Sequence, residues 1–153
     1  MNKCSTIGET LLAATQQLQT SSSTARIDAE VLLCHSLNCN TAHLAAWPEK
    51  NLSIEQAQQF DQLITERKLG VPVAYLTGIR EFWSLELEVT PATLIPRPET
   101  ETLIEFILNQ FDNKKECQLV DLGTGSGAIA LAIASERPEW KITATDISRE
   151  ALN

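Results

Sequence analysis

Three glycines at alternate positions, Gly123, Gly125 and Gly127, interrupt the run LVDLGTGSGAIALAIA between Leu119 and Ala134. Without Cβ atoms, Gly123 and Gly125 allow a sharp turn and let a ligand come within contact distance of the main chain, while Gly127 lets a following helix pack close to its strand. Backbone amides of the turn are then expected to face the ligand. Asp146 lies nineteen residues past Gly127, where an acid can accept both hydroxyls of an adenosine ribose. Turn and acid together are more specific than either alone, and they point to an adenosine-containing cofactor. No Gly-Lys-Ser/Thr follows the turn, which excludes a Walker A phosphate loop.

The sign of charge separates two cofactor readings. GTGSGA can be matched to G-x-G-x-x-A, a dinucleotide fingerprint, but that loop must accept an anionic pyrophosphate at a helix N-terminus. Asp121, two residues before the first glycine, places a carboxylate near that anion and disfavours it. S-adenosylmethionine carries a sulfonium and an α-ammonium instead, and D-x-G-x-G-x-G sets an acid where such a cation benefits. S-adenosylmethionine is the preferred expectation, and a nicotinamide dinucleotide stays open as the alternative.

The elements that must position these residues are legible around them. Gln118–Leu122 reads as a short apolar strand, Ala128–Glu136 as a helix stopped by Pro138, and Lys141–Thr145 as a second strand ending at Asp146. Ser148 reads as the N-cap of another helix. Upstream, Pro91, Pro96 and Pro98 stiffen an extended segment before Pro98 opens a helix. Glu99 and Glu101 suit that helix's first turn, where the macrodipole favours carboxylates, and need no catalytic role. Leu103, Ile104, Ile107, Leu108 and Phe111 form its expected buried stripe. REFWSLELEV alternates Phe82, Leu85, Leu87 and Val89 with glutamates, the pattern of a β-hairpin turning near Trp83-Ser84, and is expected to act as a linker.

The first seventy residues read as helices. Thr6-Ile7-Gly8-Glu9 and Ser53-Ile54-Glu55-Gln56 have the form of capping boxes. Ile7, Leu11, Ala14 and Leu18 make the first apolar stripe. A second helix is expected from Ala25 to Leu37, burying Ile27, Val31 and Cys34, with Asn38 and Asn40 as stop signals. A short piece follows Thr41 and closes at Trp47-Pro48. Ile54, Ala57, Phe60 and Ile64 stripe a fourth helix ending at Gly70 before Pro72. The glutamine-rich outer faces read as solvated surface, with partner docking left open.

The totals fit a globular chain: 153 residues, 43% hydrophobic and 21% charged, enough to bury a core. A net charge of −8 suits phosphate backbones poorly, so direct nucleic-acid binding is not expected. No stretch approaches the roughly 18 uninterrupted apolar residues of a membrane span, and the N-terminus lacks a secretory apolar block, so the chain reads as cytoplasmic. Cys4, Cys34, Cys39 and Cys117 form no C-x-x-C pair and are read as ordinary thiols. Cys34, His35, Cys39 and His43 match no standard zinc spacing, and no metal site is expected.

ARIDAEVLL, GVPVAYLTGIREFWSLELEVTPATLIPRPETETL and VDLGTGSGAIALAIASERPEWKITATDIS together resemble the HemK/PrmC family, methyltransferases that modify a glutamine in peptide chain release factors. The resemblance runs from about Thr24 to the last residue. It implies a small all-α N-terminal bundle for substrate recognition (residues 1–72), a β-hairpin and proline-rich linker (73–97), and the first βαβ part of a Rossmann-like α/β methyltransferase domain (98–153). It places the S-adenosylmethionine loop on Gly123, Thr124, Gly125, Ser126 and Gly127, and the ribose-binding acid on Asp146. LIPRPETE separates this family from the sister enzymes that methylate a ribosomal-protein glutamine. The family's Asn-Pro-Pro-Tyr, which holds the glutamine amide, is absent from this sequence. The chain is therefore expected to be an N-terminal fragment, a monomer with no catalytic residue of its own and weak cofactor binding at most. Its parent would take a release factor as protein substrate. A ribosomal-protein glutamine methyltransferase, an NAD-dependent dehydrogenase and a helical protein-binding module stand as alternatives.

Overall fold

A computed structural model describes residues 5–152 and divides the chain into two compact units at Thr77/Gly78. Cys4 lies outside the described residues. Among the described residues, no helix is long and apolar enough to cross a membrane.

The first unit is helical: α1 (Ile7–Leu18), α2 (Ala25–Leu37), α3 (Thr41–Ala46), α4 (Ile54–Lys68) and α5 (Val73–Thr77). Both expected capping boxes form. The Thr6 hydroxyl accepts the Glu9 N–H at 3.2 Å while the Glu9 carboxylate accepts the Thr6 N–H at 3.1 Å, and Ser53 and Gln56 repeat the exchange at α4. Asn38 ends α2 with φ 49°, and Asn40 does not stop that helix but caps the next, its side chain accepting the His43 N–H at 3.0 Å. The core collects Ile7, Leu11, Leu18, Leu32, Phe60 and Ile64.

Three parts of this unit depart from the sequence reading. Helix α2 buries Ala25, Asp28, Ala29, Leu32, Leu33 and Ser36, whereas Ile27 and Val31 are 60% and 38% exposed. Apolar residues occur nearly all round this helix, so periodicity alone cannot choose a face. The chosen face carries two alanines, and its Asp28 is neutralised by Arg67 of α4 at 2.8 Å. Ser22 and Thr24 also donate to Asp28, at 2.7 and 2.9 Å. A buried carboxylate is tolerable when paired and hydrogen-bonded in this way. Ile54 stands exposed at the start of α4, while Phe60 and Ile64 are buried as expected. Helix α5, unexpected from the sequence, adds Val73 and Leu76 to the edge of the core.

The second unit contains β1 (Ile79–Phe82), β2 (Leu85–Glu88), a 3-10 turn at Pro98–Thr100, α6 (Glu101–Gln110), β3 (Gln118–Leu122), α7 (Ala128–Glu136) and β4 (Lys141–Thr145). Strands β1 and β2 pair antiparallel with Phe82 opposite Leu85, and Trp83 and Ser84 make the turn at φ 52° and 59°. Two positive φ values are what a two-residue hairpin loop needs, although glycine and asparagine adopt them more cheaply. Trp83 is held by other means: its N–H donates to Glu101 Oε1 at 3.1 Å and its indole Nε1–H to Glu136 Oε1 at 2.9 Å. Glu101 thus anchors the hairpin turn, a contact beyond the macrodipole role expected from the sequence.

Far from being a separate connector, the hairpin is part of this unit's core. Phe82 and Leu87 pack with Ile104, Ala132, Ile133 and Trp140. Of the expected α6 stripe, Ile104 is fully buried and Ile107 and Leu108 are half-buried, but Leu103 and Phe111 are exposed. Strands β3 and β4 pair in parallel across α7, from Gln118 opposite Lys141 to Leu122 opposite Thr145. Leu119 and Ile142 face the core, and Val120 and Leu122 are exposed. Beyond Asp146 the described residues form turns, with Ser148 Oγ accepting the Ala151 N–H at 3.3 Å, the hydrogen bond expected of an N-cap.

Candidate functional site

The glycine turn is tied to the end of the neighbouring strand. The Gly123 and Thr124 N–H groups both donate to the Thr145 carbonyl, at 2.8 and 2.9 Å, and Gly127 N–H closes the turn on the Thr124 carbonyl at 2.9 Å. All three glycines have positive φ: 77° at Gly123, 55° at Gly125 and 76° at Gly127. A Cβ at Gly123 would meet nothing within 4 Å, so the space above it is open. Gly127 plays a different part from the one expected of it. Its missing Cβ makes room for Leu131 of its own helix, 3.2 Å away at Cδ1, and not for the strand.

Asp146 braces the turn from the second strand. One carboxylate oxygen accepts the Gly125 N–H and the other the Ser148 N–H, each at 2.9 Å. These N–H groups hold the Asp146 carboxyl below the usual carboxylate range, Ser148 contributing most and Gly125 next. The Ile147 N–H also acts on this carboxylate, and of its roughly four acceptor positions at least one remains. Asp121 is fixed by the Thr124 hydroxyl, which donates to its Oδ2 at 2.7 Å.

Asp121 and residues 123–126 line one side of a cleft of about 170 Å³. Gly127 and Asp146 are outside its lining. The far side comes from the proline-rich segment, with Leu94, Arg97 and Thr100. Thr93 is buried there and fixes the turn before Leu94: its hydroxyl accepts the Thr90 N–H and donates to the Thr90 carbonyl, both at 3.1 Å. Sequence reasoning marked LIPRPETE only as a distinguishing stretch; the chemistry-bearing types at Arg97 and Thr100 were its available signal. The first turn of α7 has no side-chain cap, and Ala128 and Ile129 reach the same cleft. A positive helix end and the Asp121 carboxylate therefore sit at one opening. A larger hollow, about 690 Å³, lies beside the hairpin, but its Glu101 and Glu136 are engaged by Trp83.

Comparison with known proteins matches residues 9–78 to the PrmC N-terminal domain and residues 100–153 to the methyltransferase small domain. The release factor glutamine methyltransferase of Shewanella oneidensis is 53% identical over 148 residues, covering 97% of this chain and 51% of the relative. Those of Coxiella burnetii and Escherichia coli are 52% and 51% identical, covering 90% and 94% of this chain. The chain belongs to the PrmC family. It spans about half the length of the PrmC-family relatives it matches. The hairpin and most of the proline segment fall between the two matched PrmC and methyltransferase regions, and this intervening stretch supplies Leu94 and Arg97 to the cleft.

Proposed function

We propose that this chain carries the cofactor-holding part of an S-adenosylmethionine-dependent methyltransferase whose substrate is a glutamine side chain of a peptide chain release factor. The β3–α7–β4 unit is the start of a Rossmann-like sheet, and Gly123, Thr124, Gly125, Ser126, Gly127 and Asp146 are its cofactor residues. One observation carries the reading: the Asp121 carboxylate and the uncapped α7 N-terminus share a single cleft beside the open space at Gly123. The amino-acid end of S-adenosylmethionine presents an ammonium next to a carboxylate, so both charges of the cleft find a partner. A pyrophosphate would be opposed by Asp121.

When bound, S-adenosylmethionine supplies an electrophilic methyl group. This chain's residues would hold and orient it: Asp146 through a remaining acceptor position toward the ribose, Asp121 toward the cationic end, and the bare main chain at Gly123 by close approach, because the amides of Gly123, Gly125 and Gly127, expected from the sequence to face the ligand, donate within the protein instead. An amide nitrogen is a feeble nucleophile because its lone pair is delocalised, so holding the reactants in line is the main contribution open to such a site. No residue of this chain is assigned to the glutamine.

The test is calorimetric titration at the full length of the relatives. S-adenosylmethionine should bind, and Asp121→Asn should weaken it about tenfold, the equivalent of roughly 1.4 kcal/mol. A nicotinamide dinucleotide that binds more tightly after Asp121→Asn would replace this reading with a dehydrogenase. Intact-mass measurement of a release factor and, in parallel, of ribosomal proteins should show one added methyl group on the release factor alone.

A further inference from the structure

The C-terminus of α2 brings together two thiols that the cofactor site does not use. Cys39 N–H donates to the Cys34 carbonyl at 3.0 Å and Asn38 N–H to the His35 carbonyl at 3.2 Å, with Asn38 at φ 49°. These paired bonds across a left-handed residue make a Schellman motif, whose first and last residues commonly join their side chains in an apolar contact. Here those two residues are Cys34 and Cys39. Both pack half-buried against the same core. The backbone bond and a side-chain hydrogen bond between the two thiols hold them side by side, the neighbourhood in which a disulfide, with α-carbons about 4.4–6.8 Å apart, can form.

We propose that Cys34 and Cys39 are a redox modification site, forming an intramolecular disulfide when the chain meets a peroxide. The Cys39 thiolate attacks one peroxide oxygen, breaking the O–O bond and leaving a sulfenic acid and water. The Cys34 sulfur then attacks the Cys39 sulfur, expelling the hydroxyl as a second water once protonated, and the S–S bond forms. Two thiols and one hydrogen peroxide give one disulfide and two waters, with two electrons passing from sulfur to oxygen. Burial and the neighbouring Cys39 push the Cys34 thiol up to about 11, which suits Cys34 to the role of resolving partner and not of first nucleophile. A dithiol reductant reverses the reaction.

The two cysteines lie in one tryptic peptide, residues 27–50, bounded by Arg26 and Lys50. After hydrogen peroxide treatment of the folded chain and alkylation, that peptide should be two hydrogens lighter and carry no alkyl group. Dithiothreitol before alkylation should restore both labels. Cys39→Ser should leave Cys34 open to alkylation. Treatment in concentrated urea should give less of this linkage, because the motif that aligns the sulfurs is lost. The proposal is overturned if both cysteines remain alkylated, if either pairs instead with Cys4 or Cys117, or if the unfolded chain forms the link equally well.

Discussion

Gly123 and Gly127 have nearly the same φ, 77° and 76°, yet their surroundings assign them separate consequences. Alanine at either position adopts a left-handed conformation costing about 1–2 kcal/mol. At Gly127 the new Cβ would also press Leu131, but that side chain is half-exposed and can yield. At Gly123 it would enter the open space beside the cleft. Gly123→Ala and Gly127→Ala should therefore lower the urea midpoint of the second unit alike, read from its tryptophans Trp83 and Trp140. Gly123→Ala should also weaken S-adenosylmethionine by an order of magnitude or more in calorimetry, and Gly127→Ala, which shapes the turn from outside the cleft lining, by clearly less. Equal binding losses would show that the turn's shape matters and not the space above it.

Asp146 adds a pH dependence at the same scale. Its folded carboxyl titrates below its ordinary value because the Ser148 and Gly125 N–H groups bind the charged form. A depressed folded pKa means that this brace is intact above the unfolded value, near 4, and is lost as the pH falls through the folded one. Cofactor affinity should be level from pH 8 to about 5 and fall only below about 4. A midpoint near neutrality would assign the dependence to another group.

Helix α2 shows how an element can be recognised while its orientation is not. Its start and its Asn38 end are written in local chemistry, but the choice between the Ile27/Val31 face and the Ala29/Leu33 face depends on Arg67, thirty-nine residues away from Asp28. Burial works to raise the Asp28 pKa, and the hydrogen bonds from Ser22, Arg67 and Thr24 outweigh it, leaving the carboxyl below its usual range. Arg67→Met should destabilise the helical unit by about 2–3 kcal/mol, since it strands a carboxylate that Ser22 and Thr24 only partly satisfy. In the native chain the pair's contribution is present above about pH 4 and lost below it. Arg67→Met should flatten that acid limb in thermal melts followed by circular dichroism. The hairpin makes the same point in strand form: its turn at Trp83-Ser84 was legible from alternation, but not its place in the core, because Phe82 and Leu87 meet Ile104 and Ile133 only through the fold.

For the whole molecule, the βαβ segment was the most legible part, because three glycines, an apolar strand on each side and a helix between them are all local signals. The cleft's second wall was not, since nothing local in TLIPRPET says that it faces residues 123–126. The position of the break between units also depended on tertiary contact. Sequence punctuation at Gly70 and Pro72 suggested an end near residue 72, whereas α5 carries Val73 and Leu76 onto the helical core and the chain divides after Thr77. All buried members of that core lie between Ile7 and Ile64, and its partly buried edge ends at Leu76. Residues 1–77 should accordingly fold alone, with a cooperative helical melt. A piece ending at Gly70 loses two apolar contacts, roughly 1–2 kcal/mol of burial, and in so small a domain each kcal/mol shifts the midpoint by about 4–8 °C. It should melt at least about 5 °C lower. Identical melts for the two pieces would mean that α5 adds nothing to the helical unit, and the functional boundary would return to Gly70.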